Sequence, residues 1–300
     1  MQAKRVATLK AHVAPLYALA RGRSAETLFS AGGDRVVAEW DLDKAATLPF
    51  GIRTEATIYS LLNIDDRILI IGTNRGSMHV VDLETSQEIR HLKLHDQGVF
   101  HLVYCAKHKR VYAGSADGSL SVWEADQWSL LWHLRPGRGK IRRIALDASE
   151  EKVAVACGDG SILVLETENN RERYRIDGHE EGANSVAFLP NGNLISGGKD
   201  AHLRIWDAEN HFILLTQVPA HNFAIYDILI APNGKWLATA SRDKTVKLWD
   251  IDLKEKPVRL DRKMYEGHTH SVNCLCFLEG PNLLASCSDD RSICLWEISA

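Results

Sequence analysis

The sequence predicts an all-β protein in which seven short four-stranded sheets are arranged as the blades of a propeller. Three observations lead to this prediction. A unit of 41 to 47 residues repeats along the 300-residue chain, a turn signal lies at a fixed place in nearly every unit, and strand-forming runs separate the turns. Repeat periods of about this length are typical of propeller blades with four strands each.

Each unit ends in Trp, or an apolar substitute, followed by an acidic residue. The seven dipeptides are Trp40-Asp41, Val81-Asp82, Trp123-Glu124, Leu165-Glu166, Trp206-Asp207, Trp249-Asp250 and Trp296-Glu297. Six residues before the Trp position, every unit except the second has a turn-forming Asp: Asp34, Asp117, Asp159, Asp200, Asp243 and Asp290. Five units have a His 21 or 22 residues before that Asp: His12, His95, His179, His221 and His268. The repeat therefore extends from near the first residue to near the last.

With this period and these His, Asp and Trp-Asp positions, the chain resembles the WD40 repeat family over essentially all of its length. The resemblance implies a seven-bladed β-propeller that acts as a rigid scaffold or adaptor in multiprotein complexes. It also implies that the partners are proteins or peptides, most often docked on the top face. We expect residues 1–300 to form one such propeller, without a catalytic site or a cofactor.

The sixth unit shows the expected order of elements within a blade. Residues 226–230 form a strand-like run, Pro-Asn-Gly at 232–234 forms a turn, and residues 236–240 form a second strand. Asp243 then lies in a tight turn before a third strand at residues 245–249. No stretch has a sustained 3.6-residue apolar period, so the sequence predicts no long helix.

The two ends of the sequence predict how the ring closes. The last unit stops at Trp296-Glu297-Ile298, just after its third strand, and a lone strand-like run at residues 4–9 precedes His12. We expect residues 3–9 to supply the missing fourth strand of the seventh blade, as the ring-closing strand does in the WD40 family. Closure leaves no terminal blade exposed.

The bulk composition indicates an ordinary soluble protein. Its net charge of −3 gives no overall attraction for nucleic acid or anionic membrane. No apolar run is long enough to span a bilayer, and the first ten residues lack a signal-peptide core. These features predict a monomeric cytoplasmic protein, or a nuclear one in a eukaryote. The six cysteines lie in predicted strands as buried thiols, and no metal site is expected from them.

Four units contain the complete tetrad of Trp, hydroxyl, His and Asp that the resemblance implies to be structural. These tetrads are His12/Ser30/Asp34/Trp40, His179/Ser196/Asp200/Trp206, His221/Thr239/Asp243/Trp249 and His268/Ser286/Asp290/Trp296. Four copies argue against a catalytic triad, because an active site is normally singular. The second unit has Arg53, Ile71, Arg75 and Val81 at these positions, the third has Ala113 in place of the hydroxyl, and the fourth keeps only Asp159.

One position near the start of each innermost strand is expected at the central rim of the top face. The seven residues there, with a one-residue gap in the second unit, are Tyr17, Tyr59, Phe100, Arg142, Asn184, Tyr226 and Asn273. The residues before the turn Asp face the same side, and among them Lys199 and Arg242 are charged. Aromatic and Arg side chains concentrate binding energy in interfaces. We expect Tyr17, Tyr59, Phe100, Arg142, Tyr226, Lys199 and Arg242 to contact a partner; alternatively, the aromatic rings plug the central channel.

Two other segments have both a functional and an unremarkable interpretation. The basic residues within 135–143 predict a solvated loop by default, and the alternative is a nucleic-acid or phosphate site. The extra length of the last repeat falls in residues 253–267, which we expect on the bottom face as a tolerated insertion or a second docking edge. An enzyme is the least favoured class, because the rim positions have no carboxylate or His that would ligate a catalytic metal.

Overall fold

The structure is a computed structural model that describes residues 1–299 and contains 28 β-strands and one short helix. The first strand is β1 (Gln2–Leu9). Blade one contains β2 (Leu16–Arg21), β3 (Thr27–Gly32), β4 (Val36–Asp41) and β5 (Ala46–Arg53). Blade two contains β6 (Ile58–Ile64), β7 (Ile68–Thr73), β8 (Ser77–Asp82) and β9 (Gln87–Lys93). Blade three contains β10 (Val99–Cys105), β11 (Arg110–Ser115), β12 (Leu120–Glu124) and β13 (Leu130–Leu134). Blades four and five contain β14 (Ile141–Leu146), β15 (Lys152–Cys157), β16 (Ser161–Glu166), β17 (Glu172–Asp177); and β18 (Ala183–Phe188), β19 (Leu194–Gly198), β20 (His202–Asp207), β21 (Ile213–Pro219). Blade six contains β22 (Ile225–Ile230), β23 (Trp236–Ser241), β24 (Val246–Asp250) and β25 (Val258–Leu260). Blade seven contains β26 (Val272–Leu278), β27 (Leu283–Ser288) and β28 (Ile293–Ser299).

The N-terminal strand closes the ring. Blade seven has the strand order β1-β28-β27-β26, with β1 antiparallel to β28 from the pair Gln2↔Ser299 to the pair Leu9↔Ile293. Leu9 is buried against blades seven and one. The predicted all-β propeller of seven blades, closed by the N-terminal strand, is therefore confirmed.

Apolar packing between neighbouring blades holds the ring together. The first strands of successive blades contact each other around a circle, including β26 with β2 across the closure. Seven clusters of buried apolar side chains fill the seven interfaces between adjacent blades. The inner strands are buried on both faces, which is why β7 and β15 are nearly continuous apolar runs rather than alternating ones.

The segment at residues 253–267 does not lie wholly on the bottom face, contrary to the sequence prediction. Strand β25 crosses the blade and pairs Leu260 with Val246, at the end of β24 that follows the Asp243 turn. The chain then forms α1 (Arg262–Tyr265), capped by Asp261, whose Oδ1 accepts a hydrogen bond from the Met264 amide at 2.9 Å. Only the connection before β25 is at the bottom. Across residues 1–299, no helix has the length and apolar character needed to cross a bilayer.

Candidate functional site

All seven rim positions are placed by the same local irregularity, a β-bulge near the start of the innermost strand. In blade one the register with β3 shifts between Leu16 and Ala18, and the extra residue is Tyr17. The same shift in the other blades leaves Tyr59, Phe100, Arg142, Asn184, Tyr226 and Asn273 as the extra residues. A bulge redirects a side chain out of the regular alternation. Six of the seven line a cavity of about 420 Å³ at the mouth of the central channel.

Four of these side chains form one continuous arc, which we call the rim arc: Tyr17, Tyr59, Phe100 and Arg142. The rings of Tyr17 and Tyr59 meet edge to face with centroids 5.3 Å apart, and those of Tyr59 and Phe100 are 5.2 Å apart. The Arg142 guanidinium lies 4.9 Å from the Phe100 centroid and 5.1 Å from that of Tyr226. All of these side chains are half-buried. The arc therefore connects blades one to four and reaches blade six through Arg142.

The two asparagines at the rim bind backbone groups of the neighbouring blade. Asn184 Nδ2 donates to the Ile225 carbonyl at 3.0 Å, and Asn273 Nδ2 donates to the Leu16 carbonyl at 2.7 Å. Asn273 also donates to Asp289 Oδ1 at 2.8 Å. Through these hydrogen bonds Asn184 ties blade five to blade six, and Asn273 ties blade seven to blade one.

An ion pair that the sequence analysis missed lies one residue further along the innermost strands. Arg143 Nη2 is 2.8 Å from Oδ1 of the fully buried Asp227, and the Leu275 amide donates to Asp227 Oδ2 at 2.9 Å. Burial raises the pKa of Asp227, and the charge of Arg143 opposes that rise. Burial also lowers the pKa of His101 well below its usual value, with Arg143 adding to the effect, so this imidazole is neutral. The ion pair links blade four to blade six past blade five.

The charged residues predicted on the other side of the top face are exposed but separate from the rim arc. Lys199 and Arg242 lie in the turns between the second and third strands of blades five and six. The Arg242 guanidinium is 5.8 Å from the ring centroid of Phe223, which is 56% exposed. The sequence analysis overlooked Phe223. Its position two residues after the tetrad His221, in a top-face connection, was the available signal.

The basic segment at residues 135–143 divides into two groups with different environments. Arg135, Arg138 and Lys140 are exposed, whereas Arg142 lies in the rim arc and Arg143 in the buried ion pair. The loop is held in place by the Arg138 amide, which donates to Asp159 Oδ2 at 2.8 Å. Only three of the predicted cations are therefore free to meet a polyanion.

The structure brings the members of all four expected tetrads into hydrogen-bonding contact. In each tetrad the Trp Nε1–H donates to the hydroxyl at 2.7–3.0 Å, and the hydroxyl and His Nε2 are 2.7–2.9 Å apart. The His Nδ1 is 2.7–3.0 Å from the Asp carboxylate. The four hydroxyls of Ser30, Ser196, Thr239 and Ser286 are fully buried, so a substrate has no access to them.

Blade three has a related network that sequence comparison of the units did not reveal. Ser121, directly opposite Ala113 on the neighbouring strand, accepts from Trp123 Nε1 and bonds His95 Nε2, both at 2.8 Å. Ser119 connects His95 Nδ1, at 2.8 Å, to the Asp117 carboxylate. The missing hydroxyl is thus supplied from the adjacent strand.

Blade two requires a one-residue correction to the predicted register. The His position is occupied by Thr54 and not by Arg53. Thr54 precedes the bulge residue Tyr59 by five residues, as His221 precedes Tyr226. Its amide donates to the Arg35 carbonyl at 2.9 Å, and the amides of Ala220 and His221 both donate to the equivalent carbonyl of Ala201. The shift arises because the connection into blade two is one residue shorter than the unit alignment assumed.

The fold, the repeated bulges and the tetrads define a WD40 propeller, and the chain belongs to the WD40 repeat family. The family profile described as WD domain, G-beta repeat matches residues 86–124, 170–207, 212–250 and 261–297, which together make up just over half of the chain.

Curated proteins similar to this chain include three named as nuclear distribution proteins. NudF 1 of Talaromyces marneffei is 32% identical over 130 residues, which are 42% of this chain and 27% of that protein. PAC1 of Arthroderma benhamiae is 27% identical over 190 residues, or 58% of this chain and 39% of that protein. NudF of Emericella nidulans is 27% identical over 186 residues, or 59% and 39%. The matched regions thus span 27% to 39% of the length of these relatives.

Proposed function

We propose that this chain is a non-catalytic platform that binds a protein or peptide partner across the top face of the propeller. The observation that carries the proposal is the rim arc, in which three aromatic rings and Arg142 touch one another at the channel mouth while remaining partly exposed. Side chains of these types dominate the hot spots of protein interfaces. A pre-formed, mutually packed arc loses little conformational entropy on binding.

Two further observations support a binding role. In the groups that resemble catalytic triads, the hydroxyl and His side chains are buried inside the blades, and only the Asp side chains are partly exposed. Outside the rim arc, Phe223 with Arg242 and the exposed Lys199 extend the candidate contact surface over blades five and six. The partner would thus meet aromatic groups on one side of the channel and positive charge on the other.

The relatives bear on the cellular setting. They are named nuclear distribution proteins, which supports an intracellular, cytoplasmic role with protein partners for this chain. We propose that the propeller is monomeric by itself. Because the matched regions are a minor part of each relative, the identity of the partner is left to experiment.

The experiment is an affinity capture from lysate of the source organism, identified by mass spectrometry. Wild type is compared with a Tyr17→Ala/Tyr59→Ala/Phe100→Ala variant. The matched control is Ile213→Ala/Leu214→Ala/Leu215→Ala, which removes three apolar side chains that are 47–57% exposed on the outer edge of blade five. Unchanged melting temperatures establish that both variants are folded.

The proposal predicts a partner that is recovered with wild type and with the control but is lost with the rim variant. Equal recovery with the rim variant would instead identify the rings as a channel plug. Repeating the capture at two salt concentrations tests the nucleic-acid alternative, because phosphate contacts weaken steeply with ionic strength and an aromatic interface does not.

A further inference from the structure

Blade two has a histidine–carboxylate cluster in the region where other blades have a tetrad. Thr54 takes the place of the tetrad His, and the side chain of His79 on β8 is buried, with 8% of its surface exposed. His79 lies opposite Ile71, the residue at the hydroxyl position, in the pairing of β7 with β8. The cluster therefore replaces the tetrad rather than adding to it.

Three potential ligands converge at this place. His79 and His91 form a direct cross-strand pair between β8 and β9, with rings stacked 4.6 Å apart at an interplanar angle of 10°. Glu55 comes from the connection between β5 and β6, and its Oε1 is 3.7 Å from His79 Nε2. One ligand atom from each of the three residues lies within 4.8 Å of the other two.

A neighbouring carboxylate orients the buried imidazole. Glu88 Oε1 lies 2.9 Å from His79 Nδ1, so the ring donates its Nδ1–H to Glu88 and leaves the Nε2 lone pair free. This Nε2 atom is buried and, in the described part of the chain, lacks a hydrogen-bond partner. An unsatisfied buried nitrogen calls for an explanation. A His held by a carboxylate through its other nitrogen is the usual arrangement of a metal ligand.

We propose that Glu55, His79 and His91 bind a divalent transition-metal ion, and that Zn²⁺ is the ion best suited to them. Two imidazoles and one carboxylate form a ligand set that Zn²⁺ accepts in tetrahedral geometry, with water in the fourth position. Bonds of about 2.0–2.2 Å place tetrahedral ligand atoms roughly 3.3 Å apart. Glu55 and His91 are exposed and free to close by up to about 1.5 Å onto the fixed His79.

The charges around the cluster suit a cation. Glu55 and Glu88 lie on opposite nitrogens of His79, with Glu55 Oε1 3.7 Å from Nε2 and Glu88 Oε1 2.9 Å from Nδ1, so two carboxylates offset the charge of a bound ion. The nearby Arg75 is exposed, so solvent screens its positive charge. A bound ion would join β8, β9 and the β5–β6 connection, which is the mechanical role that tetrads have in other blades.

The test uses the full chain, free of affinity tags and treated with chelator, and titrated with Zn²⁺ by isothermal calorimetry. We expect one ion per chain, and we expect His91→Ala and Glu55→Gln each to weaken binding about 100-fold or more. Glu88→Gln, which changes only the orienting carboxylate, should weaken it about 10- to 100-fold. Titration with Co²⁺ should give the visible absorption of a tetrahedral complex.

The matched control is His133→Ala in blade three. His133 is exposed and occupies the position equivalent to His91, but it lies opposite Ser121 instead of a second His. The His133→Ala variant should bind Zn²⁺ with the same affinity as wild type. A Kd weaker than about 1 mM for wild type, or the same Kd in His91→Ala as in wild type, would overturn the proposal. Because Glu55, Glu88 and His91 are not buried, their variants should fold, and melting curves verify this.

Discussion

The hydroxyl group at the centre of each tetrad has two hydrogen-bond partners and no contact with solvent. Ser30, for example, accepts from Trp40 and bonds His12, both at 2.7 Å. Removing such a group strands two buried polar atoms, which costs about 1–3 kcal/mol. The tetrads therefore fix the turn carrying the Asp to the strands of its own blade, and the rigidity of the top face depends on them.

Ser121→Ala provides the residue-scale test of this role in blade three. Because Ser121 bonds both Trp123 and His95, its removal should lower the free energy of unfolding by about 1–3 kcal/mol. Urea unfolding measures the change. Ser129→Ala is the control, since Ser129 is exposed on the same blade and should change stability by less than about 0.5 kcal/mol. If Ser121→Ala and Ser129→Ala changed the free energy of unfolding equally, the hydrogen-bond network of Ser121 would contribute nothing to stability.

The buried histidines also predict how stability depends on pH. Burial lowers the pKa of His95, His179 and His221, with the paired aspartates opposing that shift. The unfolded chain, with His near 6.5, then binds protons more tightly than the folded chain, so acidification below about 6.5 favours unfolding. We expect urea midpoints to fall between pH 7 and pH 5. A urea midpoint that stays constant between pH 7 and pH 5 would contradict the lowered pKa values of these three histidines.

His268 behaves in the opposite sense. Burial alone would lower its pKa, but hydrogen bonds to Asp290 and Cys294 outweigh that effect and raise it to about 9. The stability that this raised pKa gives to the folded state is fully present below about pH 6.5 and is lost as the pH rises through 9. It therefore cannot offset the acid loss from the other three histidines, and stability should also decline on the alkaline side.

At the residue scale, the sequence predicts the features that recur in most blades and misses the contacts that occur in a single blade. The seven rim residues occur at equivalent bulges, one in each blade. Ser121 was missed because it reaches the tetrad from the adjacent strand, across from Ala113. The pairing of His79 with His91 was missed because the register of an outer strand is set by its turn, which has no repeated signature in this chain.

At the scale of elements, the strand with the largest consequence is β1. It pairs with β28 over the whole length of the last strand and buries Leu9 between two blades. Without it, β28 would have an unpaired edge and the ring would be held closed only by contacts between blades seven and one.

Deletion of residues 1–10 should lower the melting temperature by several degrees or more. The reason is the loss of the antiparallel ladder between β1 and β28 together with the burial of Leu9. Circular dichroism melts measure the shift. Gln2→Ala/Lys4→Ala, which alters two exposed side chains of β1 and keeps its backbone pairing, should melt like wild type. A truncated chain that melted like the full one would refute closure by this strand.

The turn signals located most elements because Pro-Asn-Gly and Asp-Gly sequences favour tight reversals between short strands. The segment around α1 was placed wrongly, since β25 has only three residues and its short run was not recognised as a strand. An unrecognised strand reverses the inferred face of the connection that directly follows it.

At the scale of the whole molecule, the ring brings together residues that are distant in sequence. Arg143 and Asp227 lie on non-adjacent blades and meet inside the channel. No local pattern predicts this contact, because it depends on the radius of the closed ring. The packing of successive blades brings Tyr17, Tyr59 and Phe100 into contact, and we propose that a partner recognises this assembled surface.

The most direct test of that central proposal is the Kd between this chain and the captured partner, measured for wild type and Tyr59→Ala. Tyr59 is the middle of the rim arc and contacts both Tyr17 and Phe100. Loss of a hot-spot residue costs about 2 kcal/mol or more, so we predict a Kd roughly 30-fold weaker or beyond. An unchanged Kd in a Tyr59→Ala protein of normal melting temperature would contradict the assignment of the rim arc as the docking surface.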